Sequence, residues 1–159
     1  MRELDRTDCE ILAALQKNAR LPNKELAERL GIAQSTCLER VRRMVEEGIL
    51  QGFHARVDPK AMGIGLQAMV VIRLTRHSRE LVEAFRAHAL SVPEVATLYH
   101  LGGANDFLLH VVVRDAEHLR ELALTAFTER PEVAHIETAL IFEHVAKARL
   151  PVYSMAAEP

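Results

Sequence analysis

Residues 23–44 read NKELAERLGIAQSTCLERVRRM, and their pattern is that of two short helices joined by a tight turn. Leu26, Ala27 and Leu30 supply the apolar stripe of the first helix, and Asn23 stands where an N-cap oxygen is wanted. Gly31 falls where that helix must stop, because glycine takes the left-handed C′ conformation at little cost. Ile32 plugs the corner, and a second helical pattern starts near Gln34. At about 100° per residue, Cys37, Val41 and Met44 share one buried face. Ser35, Glu39, Arg42 and Arg43 point the opposite way, flanked by Thr36 and Arg40. A small polar first turn followed by guanidinium groups suits a helix lying in a DNA major groove. Its first turn reaches base edges, and arginine supplies phosphate contacts or bidentate guanine readout. Gln34, Ser35, Thr36, Glu39, Arg40, Arg42 and Arg43 are the expected DNA-contacting set.

Helix-turn-helix geometry also serves packing alone, and arginines on a helix are often only a solvated face. The neighbouring sequence favours DNA. A helix from Asp5 to about Asn18 precedes the motif, capped by Asp5 and carrying Ile11, Leu12 and Leu15 at helical spacing. Glu47-Gly48-Ile49-Leu50 closes the second helix, and Gln51 to Val57 reads as a short strand. Three helices and a β element make a winged helix-turn-helix.

A chain of 159 residues, 49% of them hydrophobic, holds one ordinary domain or two small ones with a real core. No apolar run approaches the roughly 18 residues of a membrane span. The opening MRELDRTD lacks the apolar centre of a signal peptide, so a cytoplasmic location is expected. Cys9 and Cys37 both lie on apolar helix faces and read as buried free thiols. The net charge is −2; residues 1–60 carry +1 (11 basic, 10 acidic) and the remainder −3 (9 basic, 12 acidic). DNA binding must then come from local placement of charge. One weakly charged copy neutralises few phosphates, which points to a dimer or larger assembly.

The chain changes character near Asp58-Pro59, so residues 1–58 are expected as the DNA-binding domain, 59–150 as a second domain and 151–159 as a tail. Strand patterns at Leu66 to Leu74, Val95 to Leu101, Phe107 to Arg114 and Val133 to Val145 alternate with helical ones at Arg79 to Leu90 and Ala116 to Glu129. The order is βαββαβ. Pro93-Glu94-Val95-Ala96 recurs 38 positions later as Pro131-Glu132-Val133-Ala134, and the same offset lays Leu119 over Leu81 and Glu121 over Glu83. Two βαβ halves form a four-stranded antiparallel sheet with both helices on one face, the ferredoxin-like arrangement. The class is α+β. The uncovered sheet face should alternate apolar with polar, yet only His110 breaks the apolar run from Phe107 to Val113, and Met69 to Ile72 has no break. A second copy of the domain is the economical cover.

Leu101-Gly102-Gly103-Ala104-Asn105-Asp106-Phe107 links the two central strand patterns. Glycines let backbone N–H groups approach a ligand, and one carboxylate stands beside them, which suits the two ends of a free amino acid. The alternative is a hairpin whose glycines only satisfy positive φ.

Together these pieces resemble the Lrp/AsnC, or feast/famine, family of regulators along nearly the whole chain. The resemblance rests on Leu4-Asp5 through Asp8 and Ile11-Leu12, Cys37-Leu38-Glu39-Arg40-Val41-Arg42-Arg43, and Gly48-Ile49-Leu50-Gln51-Gly52-Phe53. Gly103-Ala104-Asn105-Asp106-Phe107 is similar to the family's Gly-x-x-Asp-Tyr/Phe loop. It implies a DNA-binding domain joined by a hinge strand to an effector domain, dimers built from the sheet and often assembled to octamers, and an amino acid bound between dimers. The implied effector site is Gly102, Gly103, Ala104, Asn105 and Asp106, with Thr138 of the last strand facing the same cleft. Many relatives place Ser where this chain has Ala33, so Gln34 or Ser35 must cap the recognition helix. An effector-independent protein that wraps DNA is the competing function. Catalysis is not expected, since Gly-x-Ser-x-Gly, phosphate-loop and Cys-x-x-Cys motifs are missing. The eight histidines are scattered without metal spacing, and neither metal nor cofactor is expected.

Overall fold

Asp5 opens the first helix: its Oδ1 accepts from the Asp8 N–H at 2.8 Å, and α1 runs Arg6–Lys17. The computed structural model describes residues 3–147 together with Leu150, Pro151 and Tyr153. The turn after α1 leads to α2 (Asn23–Leu30) and α3 (Gln34–Glu46). Gly31 ends α2 at φ 65°, the left-handed position expected of it. Two expected caps are corrected. Asn23 is the first residue of α2, Pro22 precedes it, and the Asn23 amide instead donates to the Gln34 carbonyl at 2.9 Å. That bond ties the start of α2 to the start of α3. Neither Gln34 nor Ser35 caps α3; Ala33 holds the position and makes no side-chain bond. Ile11, Leu15, Leu21, Leu26, Ala27, Cys37 and Met44 form the core of this unit. Cys9 and Cys37 are free and buried, and burial pushes both thiols up.

The strand expected at Gln51 to Val57 does not form: among the described residues this segment joins no ladder that would pair its backbone groups. A single 3₁₀ turn, Pro59–Met62, follows, with the Asp58 side chain accepting from the Lys60 N–H at 3.0 Å.

The chain packs as two units, one holding the helices up to Arg56 and the segment from Val145, the other Val57–His144. Within the first, the Leu150 N–H donates to Gln16 Oε1 at 2.7 Å.

The second unit runs β1 (Leu66–Leu74), α4 (Arg79–Ser91), β2 (Val95–His100), β3 (Phe107–Val113), α5 (Ala116–Leu122) and β4 (Val133–Leu140). The strands pair antiparallel in the order β2-β3-β1-β4. The last strand stops at Leu140, short of Val145. Past α5 the backbone widens into π turns over Ala123–Thr128, where the Thr128 hydroxyl bonds the Ala123 carbonyl at 2.8 Å. The Pro-Glu-Val-Ala repeat has a structural meaning: Val95 and Val133 each begin a strand after the same turn. Their N–H groups donate back to the Val92 and Arg130 carbonyls, and the Glu94 and Glu132 carbonyls each accept from a distant stretch of the same chain, from the N–H groups of Val112 and Thr75.

Val70, Ile72, Phe107, Leu109 and Val111 face α4 and α5 and join Phe85 and Phe127 in the core. Cross-strand partners share a face, so Met69 with His110, Val71 with Leu108 and Gln67 with Val112 occupy the opposite side. Those residues are half-buried, on the side away from α4 and α5, and among the described residues no helix joins them in a core. His110 bonds Gln67 Oε1 there at 2.9 Å.

Candidate functional site

In the helical unit, Ser35, Thr36, Glu39, Arg40 and Arg43 line one shallow recess of about 530 Å³ on the outer side of α3. Gln34, Ser35 and Thr36 are exposed in its first turn. Arg42, 71% exposed, lies outside the recess and bonds Glu46 one turn on at 2.8 Å. Arg43 is only half-exposed, contrary to its expected place on the open face. It leans toward α1, its Nη2 is 3.9 Å from Asp8 Oδ1, and its Nε is buried with no bonding partner among the described residues. Arg40 Nη1 donates to Asp5 Oδ2 at 2.6 Å and to Asp8 Oδ1 at 2.8 Å, and those bonds raise its already high pKa. The sequence offered Asp5 as a cap and left Asp8 without a role. Arg40 lies 32 residues further along the chain, and that separation gave no signal of this contact.

In the sheet unit, β2 and β3 are joined by the expected glycine loop, and the hairpin is real: the Leu101 N–H donates to the Asp106 carbonyl at 2.8 Å. Gly103 sits at φ 151° with open space where a Cβ would stand. Beside the loop opens a cleft of about 640 Å³, within the range of small-ligand sites. Gly102, Gly103, Ala104 and Asp106 line it; Asn105 does not. Thr138 stands apart from them: on the edge strand β4 it pairs with Val70, and it does not line this cleft.

Asp106 is buried, and both its oxygens are engaged. Oδ2 accepts from the Leu74 N–H at 2.7 Å and Oδ1 lies 2.7 Å from His77 Nδ1. Its own N–H donates to the Ile72 carbonyl at 2.9 Å. The carboxylate thus fastens the loop to the end of β1. The other walls are Arg73, Arg76, His77 and His100, with the His100 ring stacked 5.0 Å from Phe107. Reading the loop as an isolated segment missed these four groups. The pairing of Ile72 with Phe107 brings the end of β1 to the loop, and antiparallel topology was the signal that could have found them. Two guanidinium groups beside backbone amides make a cleft suited to a carboxylate.

Among the described residues no helix is long and apolar enough to cross a membrane. Residues 4–51 match the family model for a winged helix-turn-helix DNA-binding domain, and residues 67–151 match that of the Lrp/AsnC ligand binding domain. The chain is 46% identical to the HTH-type transcriptional regulator AldR of Mycolicibacterium smegmatis, over 92% of this chain and 86% of that one. It is 33% identical to the leucine-responsive regulatory protein of Salmonella typhimurium, over 92% and 90%. A transcriptional regulator of Neisseria meningitidis, solved in complex with L-Met, superposes with a TM-score of 0.85 at 30% identity, covering 94% of this chain and 97% of that one. With a DNA-binding helix-turn-helix ahead of a ligand-binding sheet domain, and relatives of this kind along its length, the chain belongs to the Lrp/AsnC family of transcriptional regulators.

Proposed function

We propose that this protein is a sequence-specific DNA-binding regulator whose assembly and DNA binding respond to a free amino acid. The observation that carries this is the cleft beside Gly102–Asp106, where Arg73 and Arg76 stand next to the loop backbone. A carboxylate would meet the guanidinium groups and the loop amides, and Asp106 would keep the loop closed around it. The Neisseria relative was solved with L-Met, which supports an amino-acid ligand here. The recognition helix would read DNA through Gln34, Ser35, Thr36, Glu39, Arg40, Arg42 and Arg43. No catalytic step is part of the function, and the cytoplasm is where it would act.

The working unit would be a homodimer built on the uncovered sheet face, with dimers assembling to an octamer. Ligand binding where dimers meet would favour one assembly and so change the spacing of the DNA-reading heads. The sheet register sharpens the test of assembly. Val112 is on the uncovered face and Val111 is fully buried under the helices. Val112→Glu should leave the chain folded but dissociate it in sedimentation, whereas Val111→Glu should unfold the sheet unit. A Val112→Glu protein that sediments like the parent would overturn dimerisation through this face.

A thermal-shift screen against the twenty amino acids tests the ligand, since a compound binding only the folded state raises the melting temperature. One or a few amino acids should give a shift that Arg73→Ala and Arg76→Ala remove. No shift from any of the twenty would overturn the amino-acid reading.

A further inference from the structure

The fully buried Asp8 has a use that neither the family's DNA-binding motif nor the effector cleft supplies. It lies in the first turn of α1, yet its carboxylate points at α3, 2.8 Å from Arg40 Nη1 and 3.9 Å from Arg43 Nη2. Asp5 joins it: one oxygen caps α1 through the Asp8 N–H and the other accepts from Arg40 at 2.6 Å. Both hydrogen bonds to Arg40 use the same nitrogen. Its side chain remains 24% exposed, in the recess with Ser35, Thr36 and Glu39.

We propose that Asp8, with Asp5, is a positioning residue for DNA reading, holding Arg40 by one nitrogen so that its remaining N–H groups face a base edge. This rests on the reading of α3 as the recognition helix. Two carboxylates against one guanidinium cancel its charge, so Arg40 is poorly suited to gather phosphates. They also remove the rotamer freedom that makes a long side chain an imprecise reader, and a guanidinium fork held in one plane matches a base edge. Arg42, away from the recess, pairs with Glu46 of its own helix in a contact where both side chains are exposed, a weak surface pair that phosphate can displace. The two arginines therefore divide the work, Arg40 to sequence and Arg42 to electrostatic attraction.

The test uses the full chain and two probes: a duplex selected from a random pool by the parent protein, and a random-sequence duplex of equal length. Asp8→Asn keeps the shape and an acceptor but removes the charge. It should lower affinity for the selected duplex about tenfold while changing the random duplex less than about twofold, the mark of a lost base contact and not of lost phosphate contacts. Arg40→Ala should do the same, and adding Asp8→Asn to it should bring no further loss, because the two act as one unit. Arg40→Lys, which keeps the charge without the planar fork and is the safeguard should Asp8→Asn fail to fold, should lose discrimination equally. Arg42→Ala should instead weaken both duplexes and reduce the slope of binding against salt by about one contact. Additive losses from Asp8→Asn and Arg40→Ala, or full discrimination by Arg40→Lys, overturn the positioning role. Failure of the recognition-helix reading would look different: no substitution at Ser35, Thr36, Arg40 or Arg42 would alter binding to either duplex.

Discussion

Each unit buries one carboxylate at its site, and the two are held in different ways. Asp8 in the helical unit faces Arg40, whose charge is permanent, and the contact joins two helices. Asp106 in the sheet unit faces a backbone N–H and a histidine, and it joins a loop to a strand end. Fixed opposite charges across two helices make a rigid clamp. An amide bond and an imidazole make a latch that a ligand can compete with. A DNA-reading surface gains from constancy and an effector loop from responsiveness, and the choice of partner delivers each.

Removing each acid sharpens that contrast, with the clamp expected to show the larger effect. Asp8→Ala strands Arg40 and Arg43 without their shared acid. The cost should fall toward the lower part of the ~3–5 kcal/mol typical of breaking a buried ion pair, since Arg40 keeps Asp5 and some contact with water. Chemical denaturation of the helical unit is the measurement, and a loss below that of the Asp106 variant would reverse the comparison. Asp106→Ala leaves the Leu74 N–H without an acceptor, at about 1–3 kcal/mol for a buried unsatisfied donor. Amino-acid binding by calorimetry should disappear with it, while DNA binding without ligand stays near the parent's. Unchanged calorimetry would make Asp106 a turn residue and nothing more.

How far these sites could be read in the sequence depended on the range of the interactions. The helix-turn-helix is local: the spacing of Leu26, Cys37 and Met44 and the stop at Gly31 place it within a residue or two. The sheet was legible because Pro-Glu-Val-Ala recurs where a strand begins, and the same turn forms twice. The clamp was not legible, for Arg40 and Asp8 are 32 residues apart and neither type demands the other. The cleft was half legible. Its glycine loop is a contiguous segment, but Arg73 and Arg76 arrive only through the register of β1 on β3, and Thr138 was misplaced for want of the register of β4 on β1. The extended stretch 51–57 failed for a related reason, since β propensity names a strand only where a neighbour exists.

The smallest effect concerns pH, and it should separate the two units once more. His110 stands on the uncovered face of β3, bonded to Gln67 and with the His144 ring 5.9 Å away. Burial, and then the neighbouring His144, hold its pKa below the ordinary imidazole value. As pH falls, the unfolded chain takes up this proton first, so stability present above about pH 6.5 declines below it. Melts of the parent across roughly pH 5 to 8 should show the sheet unit weakening on acidification, by less than either acid substitution, with part of that slope removed in His110→Gln. The Arg40 clamp offers no imidazole to titrate, so the helical unit should not share this component. An unchanged slope in His110→Gln would assign the acid sensitivity to other groups and leave His110 as a packed, hydrogen-bonded member of the sheet.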